Sequence, residues 1–385
     1  MKKSVLLFTL CLAYILMNAQ PSSWQVKGIG GGGTFWRPSI NPGNDNEYYV
    51  HTEMGSFFHT TDFGDTYDEL SFRQLAAGDK SVIRFTNDPN ILYGAGISTA
   101  DRFLFSVYKS IDGGATWTLL PCIDNFSSWE AKTATVSLYV DYNNTNRVAF
   151  ATRNGMYFSG DGGVTMIDLT QTSPWYQFIS GCLFDGNNIY LGCPSGVMVS
   201  TDGGSIFTKA SLTGISASED MIGFAAAKQG SNIRFFGITI PTGVYTTDEV
   251  YSMAGGLTYN YIQSVYALDY NSSTNWVQKT NGITIPTSGS CYPCDFISWV
   301  GMAENDINTA YLYGVNGNSE PTVLKTSDGG DNWTHVFLIT NNQNIYSGYM
   351  GYQGDPFQWW LGCSGMGVAP NNSNKVVLAN MGSVY

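Results

Sequence analysis

The chain has 385 residues, and its 30 acidic residues outnumber its 18 basic residues to give a net charge of −12. This acidic balance argues against nucleic acid and anionic membrane surfaces as partners. Only 12% of the residues are charged, whereas 14% are aromatic and 44 are glycine. Such a composition suits an extracellular protein that binds a neutral polysaccharide, and it also suits other extracellular all-β proteins.

Residues 1–19 predict a secretory signal peptide. Two lysines at 2–3 precede the apolar run 5–17, and Ala19 provides a small residue for cleavage. The run is too short and wrongly flanked for a membrane anchor, and no other run approaches the length of a spanning helix. We therefore expect residues 20–385 to form a secreted or cell-surface domain without membrane insertion. The lysine start and the Ala-Gln junction resemble those of secreted proteins of Bacteroidetes, which implies a bacterial source.

A short turn motif recurs five times along the chain. Its frame is Ser or Thr, Asp two positions later, Gly two positions further on, and a bulky apolar residue three positions after that Gly. Glycines reach the positive-φ conformations that a tight turn needs, and an Asp carboxylate accepts backbone N–H bonds inside the turn. We interpret the repeated aspartates as structural residues of turns between antiparallel strands: Asp62, Asp112, Asp161, Asp202 and Asp328.

A fainter repeat, in which an Asn, Asp or Pro turn leads into an apolar strand, accompanies the first. Its seven copies cover residues 41–50, 87–94, 141–151, 185–192, 229–237, 305–314 and 369–379. Most copies are separated by the length of one four-stranded propeller blade. The two repeats predict an all-β fold, a β-propeller of about seven blades, without any sustained helical period.

The repeat weakens between residues 246 and 298. Segments 246–248 and 269–276 look like turn motifs that have lost their glycines, and extra length surrounds them. Long insertions in propellers usually build a binding surface or cover the central channel.

Residues 381–385 reproduce the pattern of residues 54–58, which lead into the first turn motif. The sequence therefore stops where another turn motif is due. We expect the natural protein to continue, either to complete the last blade or into a second propeller.

Six of the seven cysteines follow the signal peptide, and an even number in an exported chain permits disulfides. Cys182 and Cys193 flank a predicted hairpin and could pair across it, and Cys291 and Cys294 could close a small loop. The Cys-x-x-Cys pair has no second pair or nearby His for a metal site, and it lacks the βαβ context of a redox motif. With no phosphate-binding loop or Ser/His/Asp motif either, the sequence predicts no metal and no cofactor.

The turn motif resembles the Asp-box (BNR) repeat of sialidases, xyloglucanases and sortilin-type receptors, all of which are β-propellers. A sharper resemblance, to glycoside hydrolase family 74 (the xyloglucanases), lies in residues 30–56. This chain and the family share a glycine run, an Asn-Pro turn, a Tyr-containing strand and then a short segment, which is Thr-Asp-x-Gly-Gly in the family. That Asp is one of the family's two catalytic carboxylates, and Glu53 occupies its position here, one methylene longer. Residues 359–362 and 369–370 also resemble the family.

The resemblance implies an inverting glycoside hydrolase acting on a β-glucan of the xyloglucan type. One carboxylate would protonate the leaving oxygen and the other would activate water, at a separation of roughly 6.5–9.5 Å. We expect Glu53 to be one of the pair, and Asp355 is a candidate for the other. Because the family's cleft lies between two propellers, the second carboxylate could instead lie beyond Tyr385. The structural alternatives are a strand-end carboxylate bonded to a neighbouring turn for Glu53, and a turn residue before Pro356 for Asp355.

Aromatic residues and one histidine are candidates to bind the sugar, because aromatic rings offer large apolar faces. His51 lies two residues from Glu53 on the same strand face and could tune that carboxylate or bind a hydroxyl. The tryptophans with this candidate role are Trp36, Trp129, Trp175, Trp299, Trp359 and Trp360. Packing in the core or between blades is the alternative for each of these rings.

Two other functions remain open. Sialidases carry Asp boxes, but they clamp their substrate with three arginines, and this chain has only seven, with a faint echo of the family pattern at Arg37-Pro38. The other candidate is a non-catalytic secreted propeller that binds a glycan or a protein, as sortilin-type domains do. Replacement of the family's Asp by Glu53 favours this second candidate, and fold alone does not decide between them.

Overall fold

The computed structural model describes eleven parts of the chain, namely residues 33–78, 80–97, 105–120, 135–153, 155–172, 176–244, 262–286, 294–317, 320–338, 363–380 and 382–385. Every regular element in these parts is a β-strand, and neighbouring strands pair antiparallel. This confirms the all-β prediction. Within the same parts, no helix has the length and apolarity needed to cross a membrane.

Six four-stranded sheets follow one another along the chain, with their strands in sequence order. Blades 1 and 2 contain β1 (Phe35–Asn41), β2 (Asn44–Thr52), β3 (Phe57–Thr60), β4 (Asp68–Leu70), β5 (Val82–Phe85), β6 (Leu92–Ile97), β7 (Phe105–Ser110) and β8 (Thr118–Leu119). Blades 3 and 4 contain β9 (Thr135–Val140), β10 (Val148–Thr152), β11 (Gly155–Ser159), β12 (Ile167–Asp168), β13 (Gly181–Asp185), β14 (Asn188–Cys193), β15 (Gly196–Ser200) and β16 (Thr208–Lys209). Blades 5 and 6 contain β17 (Glu219–Gln229), β18 (Asn232–Pro241), β19 (Ser264–Asp269), β20 (Val277–Gln278), β21 (Asp295–Met302), β22 (Ala310–Asn316), β23 (Pro321–Thr326) and β24 (Thr334–Phe337).

A two-stranded sheet of β25 (Gly365–Ala369) and β26 (Asn372–Ala379) closes the ring between blades 6 and 1. Strand β25 packs against the first strand of both neighbours, and the Phe35 amide donates to the Asn380 carbonyl at 2.9 Å. The predicted β-propeller is therefore confirmed. The expected count of about seven blades is corrected, because the described residues form six four-stranded blades and the seventh unit has only two strands.

Alternate residues of a strand pack against opposite neighbours, because successive side chains point to opposite faces of the sheet. In β2, Tyr48 and Val50 pack with Val377 of the two-stranded sheet, whereas Tyr49 packs with Phe85 of blade 2. Full burial of such a side chain contributes roughly 1.5–3 kcal/mol. The fold is thus held together by apolar layers between consecutive blades.

Both sequence repeats lie at one end of the ring, which we call the turn end. The glycine motif connects the third and fourth strands of blades 1, 2, 3, 4 and 6. In blade 2, the Ser110 hydroxyl accepts from the Gly114 amide and donates to Asp112, which accepts the Thr116 amide, each at 2.8 Å. Hydrogen bonds to the carboxylate, above all from the Thr116 hydroxyl, lower the pKa of Asp112.

The two repeats are joined within each of these blades by a backbone hydrogen bond. In blade 2, the Gly113 amide donates to the Asn90 carbonyl, which belongs to the turn between the first two strands, at 3.0 Å. The matching donor and acceptor pairs in the other blades are Phe63–Asn46, Gly162–Asn146, Gly203–Asn187 and Gly329–Asn308. Cations of the preceding sheet bind three of these asparagine side chains, in the pairs Lys375–Asn46, Arg147–Asn187 and Arg234–Asn308. The turn end therefore fastens strands within a blade and blades to each other.

Blade 5 lacks the glycine motif. Segment 269–276 begins at the last residue of β19 and leads into β20, as its likeness to a turn motif predicts. Trp276 is buried there, as is Trp333 at the same place in blade 6. Segment 246–248, the other degraded motif, lies outside the described residues.

The opposite end of the ring, which we call the loop end, carries the connections from second to third strands and from one blade to the next. Glu53 follows β2 and therefore lies at the loop end. Several segments outside the described residues begin and end at strand ends that also lie at the loop end. Each of them connects a second to a third strand or one sheet to the next: 98–104, 121–134, 245–261, 287–293 and 339–362.

Candidate functional site

Glu53 occupies an exposed turn between β2 and β3. The Thr52 amide donates to the Ser56 carbonyl at 2.9 Å, and Gly55 has a φ of 109°, which lets the chain reverse in four residues. The Glu53 carboxylate lies against Gly33, where an added Cβ would come within 2.7 Å of Oε1. Gly33 also has a φ of 105°. The glycine run before β1 therefore ends in direct contact with the predicted catalytic carboxylate.

Two apolar side chains on neighbouring turns are exposed at the same end of blade 1. Met54 is 76% and Phe72 60% exposed. The Ala77 amide donates to the Gly55 carbonyl at 3.0 Å, which fixes the segment that follows β4 against the turn of Glu53. Phe72 is absent from the sequence-based site. The sequence offered one signal that could have identified Phe72 as a site residue, namely a bulky aromatic side chain in the polar segment after β4.

His51 and Trp36 are buried, and their predicted role in sugar binding is corrected. His51 is 1% and Trp36 2% exposed, and the two residues lie opposite each other in the β1–β2 pair. The His51 ring lies 5.4 Å from the Phe57 ring, centroid to centroid. Burial, with the nearby Arg37 charge, lowers the pKa of His51 to about 3, although its backbone contacts oppose this shift. His51 is therefore neutral at physiological pH and belongs to the packing of blade 1, as does Trp36.

A cavity of about 260 Å³ lies at the centre of the ring. Residues of the first strand of every sheet line it, including Arg37, Arg84, Tyr139 and Trp299. The Arg37 guanidinium lies 5.9 Å from the centre of the Trp299 ring. Of the six candidate tryptophans, the structure describes Trp36 and Trp299, and Trp299 is the one of these two that lines this cavity. The cavity lies at the centre of the ring and not at the Glu53 turn.

Charges inside this cavity come from separate blades. Arg84 lies over the Tyr139 ring at 5.2 Å, and burial lowers the pKa of its guanidinium. Glu304, which follows β21, also lines the cavity. Glu304 is an exposed residue of the turn between β21 and β22, but protein atoms surround its carboxyl closely. This desolvation, together with the nearby Asp141 charge, raises the pKa of Glu304 to about 7, and the Arg84 charge opposes the shift.

The predicted disulfide between Cys182 and Cys193 is wrong, because both are free thiols. The register of β13 and β14 places Cys182 opposite Leu191, so Cys193 lies on the diagonal. Diagonal neighbours have Cα atoms roughly 7–8 Å apart, whereas a disulfide usually needs 4.4–6.8 Å. Cys294 is disulfide-bonded, and its predicted partner Cys291 lies outside the described residues.

Several predicted site residues also lie outside the described residues: Asp355, Trp129, Trp175, Trp359 and Trp360. The predicted pair of carboxylates therefore stays a prediction. Among the residues that are described, no group of three or more His, Cys, Asp or Glu side chains could hold a metal ion.

The sequence matches no model of a known protein family, and no curated protein matches it. Solved structures do match. A GH74 enzyme from Niastella koreensis has a TM-score of 0.63 at 18% identity, over 94% of this chain and 53% of its own. An ancestral GH74 enzyme has a TM-score of 0.61 at 16% identity, over 94% of this chain and 47% of its own. The chain thus spans about half the length of these two enzymes.

Proteins of a different kind match along nearly their whole length. YCF48 from Cyanidioschyzon merolae has a TM-score of 0.54 at 11% identity, over 94% of this chain and 97% of its own. YCF48 bound to D1 peptide has a TM-score of 0.52 at 12% identity, over 92% and 94%. At such identities these similarities establish a propeller fold like that of the GH74 enzymes, and the fold alone does not assign an activity.

Proposed function

We propose that this protein is a secreted, polysaccharide-acting propeller of the glycoside hydrolase type, with Glu53 as one of its two carboxylates. The observation that carries the proposal is the placement of Glu53. It is exposed at the loop end, on a turn set by a 2.9 Å backbone hydrogen bond, and its carboxylate rests on Gly33. The fold shared with two GH74 enzymes supports it.

The surroundings of Glu53 suit a neutral polysaccharide as the substrate. Met54 and Phe72 offer exposed apolar surface on turns that a hydrogen bond joins, and sugar rings have apolar faces that pack on such side chains. We assign Phe72 as a residue that stacks on the sugar. The five glycine turns, by the same proposal, are Asp boxes with a structural role.

Hydrolysis with inversion needs a general acid and a general base on opposite faces of the bond. Glu53 would fill one of these roles, and Asp355 or a carboxylate of a second propeller would fill the other. Because this chain spans about half of each GH74 enzyme, a cleft between two propellers is compatible with the proposal.

The test is the release of reducing sugar from xyloglucan and a panel of other β-glucans by the full-length protein. Glu53→Gln keeps the shape of the side chain but cannot exchange a proton, so we expect a loss of about 10²–10⁴-fold in rate. Glu69→Gln is the matched control, since Glu69 is also an exposed carboxylate of blade 1 and its Ser56 hydrogen bond survives the change. Activity that persists in Glu53→Gln would remove Glu53 from the site.

A non-catalytic propeller that binds a glycan or a protein is the second candidate. The observation in its favour is the match to YCF48, which covers nearly all of both chains, and one of the two YCF48 structures is bound to D1 peptide. In this case no substrate would be cleaved, and retardation in polysaccharide-containing gels would separate glycan binding from protein binding. A sialidase is a weaker candidate, because it would need three arginines and, among the described residues, two line the central cavity, Arg37 and Arg84.

A further inference from the structure

Arg84 is a cation that lines the cavity at the centre of the ring and makes no direct ion pair with a described residue. Its Nε donates to the Leu138 carbonyl at 2.9 Å and its Nη1 to the Ser39 hydroxyl at 3.3 Å. These bonds use two of the five guanidinium N–H groups. None of the ion pairs within the described residues includes Arg84. Enclosed charges are normally paired, and the nearby Glu304 carboxyl compensates the Arg84 charge only when it is ionised.

A second arginine is directed into the same cavity by an unusual backbone. Arg37 has a φ of 39°, in the left-handed region that side chains rarely occupy. It lies in a break of the β1–β2 register between Trp36 and Ser39. Bulges of this kind re-aim side chains, and strained residues cluster at binding sites. Here the bulge places Arg37 on the cavity wall beside Trp299.

We propose that the central cavity binds a small carboxylate ligand, whose anionic group pairs with the free edge of the Arg84 guanidinium. A planar carboxylate matches that edge with two parallel hydrogen bonds. The Tyr139 and Trp299 rings, which also line the cavity, supply apolar walls for the rest of the molecule. A volume of about 260 Å³ lies just below the range of roughly 300–1,000 Å³ that is usual for small-molecule pockets, so it suits a compact ligand. This site is separate from the Glu53 turn, and the proposal does not depend on hydrolase activity.

Glu304 makes the proposed binding depend on pH. The charges that act on its carboxyl are Arg84 and Asp141, and the Cys182 thiol also faces the cavity. Lys228 donates its amide to the Glu304 carbonyl at 2.7 Å, but its ammonium is paired with Asp185. With a pKa of about 7, Glu304 becomes ionised as the pH rises from 6 to 8. Its negative charge then repels the ligand's carboxylate, so binding weakens over this interval.

Titration calorimetry of the full chain with lactate and glucuronate, at pH 6 and pH 8, tests the proposal. Inorganic phosphate and sulfate serve as the comparison oxyanions. We expect one site for at least one carboxylate, weaker at pH 8, and a loss of about tenfold or more in affinity in Arg84→Gln, since charge-assisted hydrogen bonds contribute roughly 1.5–3 kcal/mol. Lys209→Gln removes an equally positive but exposed side chain on an outer strand and should leave binding unchanged.

Glu304→Gln keeps the proposal testable if Arg84→Gln fails to fold, because Glu304 makes no side-chain hydrogen bond within the described residues. This variant should bind the carboxylate with the same affinity at both pH values. The proposal is overturned if neither carboxylate binds, if phosphate or sulfate binds in their place, or if affinity in folded Arg84→Gln equals that of the unmodified protein. A pH dependence that survives in Glu304→Gln would overturn the role of Glu304.

Discussion

Replacement of Gly329 by alanine tests how the turn end fastens blade 5 to blade 6. Gly329 has a φ of 74°, and an added Cβ would overlap Arg234 Nη1 and lie 2.8 Å from Arg234 Cζ. Arg234 is on β18 of blade 5. It donates to Asp269 at 2.7 and 3.0 Å within its own blade and to Asn308 at 3.3 Å in blade 6. The alanine methyl group would push the guanidinium away from these partners.

The expected cost has two parts. An alanine in the left-handed region costs about 1–2 kcal/mol relative to glycine. The bond to Asp269, whose side chain is half exposed, contributes about 0.2–1 kcal/mol, and the bond to Asn308 contributes about 1 kcal/mol. We therefore expect Gly329→Ala to lower the free energy of unfolding by about 3 kcal/mol.

Urea denaturation followed by tryptophan fluorescence measures this change. Gly230→Ala is the matched control, since Gly230 has a φ of 62° but no atom within 4 Å of the added Cβ, and it should lose only about 1–2 kcal/mol. In the background of Arg234→Ala, Gly329→Ala should cost no more than this control. Equal losses for Gly329→Ala and Gly230→Ala in the unmodified protein would refute the inference that Arg234 is displaced.

Two further predictions concern buried groups. His51 has a pKa near 6.5 in the unfolded chain and about 3 in the folded chain. Its contribution to the free energy of unfolding should therefore be fully present above pH 6.5, and below that pH it should fall by up to about 1.4 kcal/mol per pH unit. In His51→Leu, the midpoint of urea denaturation should depend less on pH between pH 7 and pH 5 than in the unmodified protein. An equal pH dependence in both proteins would contradict a neutral buried histidine. Alkylation of the denatured, unreduced protein should modify both Cys182 and Cys193, and a disulfide-linked peptide containing the two would contradict the register of β13 and β14.

Local sequence predicted the turns because their hydrogen bonds are local. The Ser110 hydroxyl and the Asp112 carboxylate bind groups within four residues of themselves. Such a turn needs no contact from elsewhere in the chain, so each copy could be recognised from its own residues. The sequence also offered a strand-end position for Glu53, and Glu53 directly follows the last residue of β2.

Predictions that depended on contacts between strands were less successful. The sequence places His51 two residues from Glu53, but its burial depends on the way blade 1 packs against its neighbours. Likewise, eleven positions separate Cys182 from Cys193, and the register of the hairpin rather than this spacing decides that they lie on a diagonal. A pattern of residue types carries no information on register until the turn geometry is known.

The sequence by itself determined the all-β class and the repeated turns, because these follow from short-range hydrogen bonding and from the period of strands. Only the tertiary structure decided the count of complete blades and the composition of the central cavity. Arg37, Arg84 and Glu304 come from blades 1, 2 and 6, and they meet because ring closure brings the first strand of each sheet to the same axis. No local signal marks such a convergence, since it depends on how many blades complete the circle.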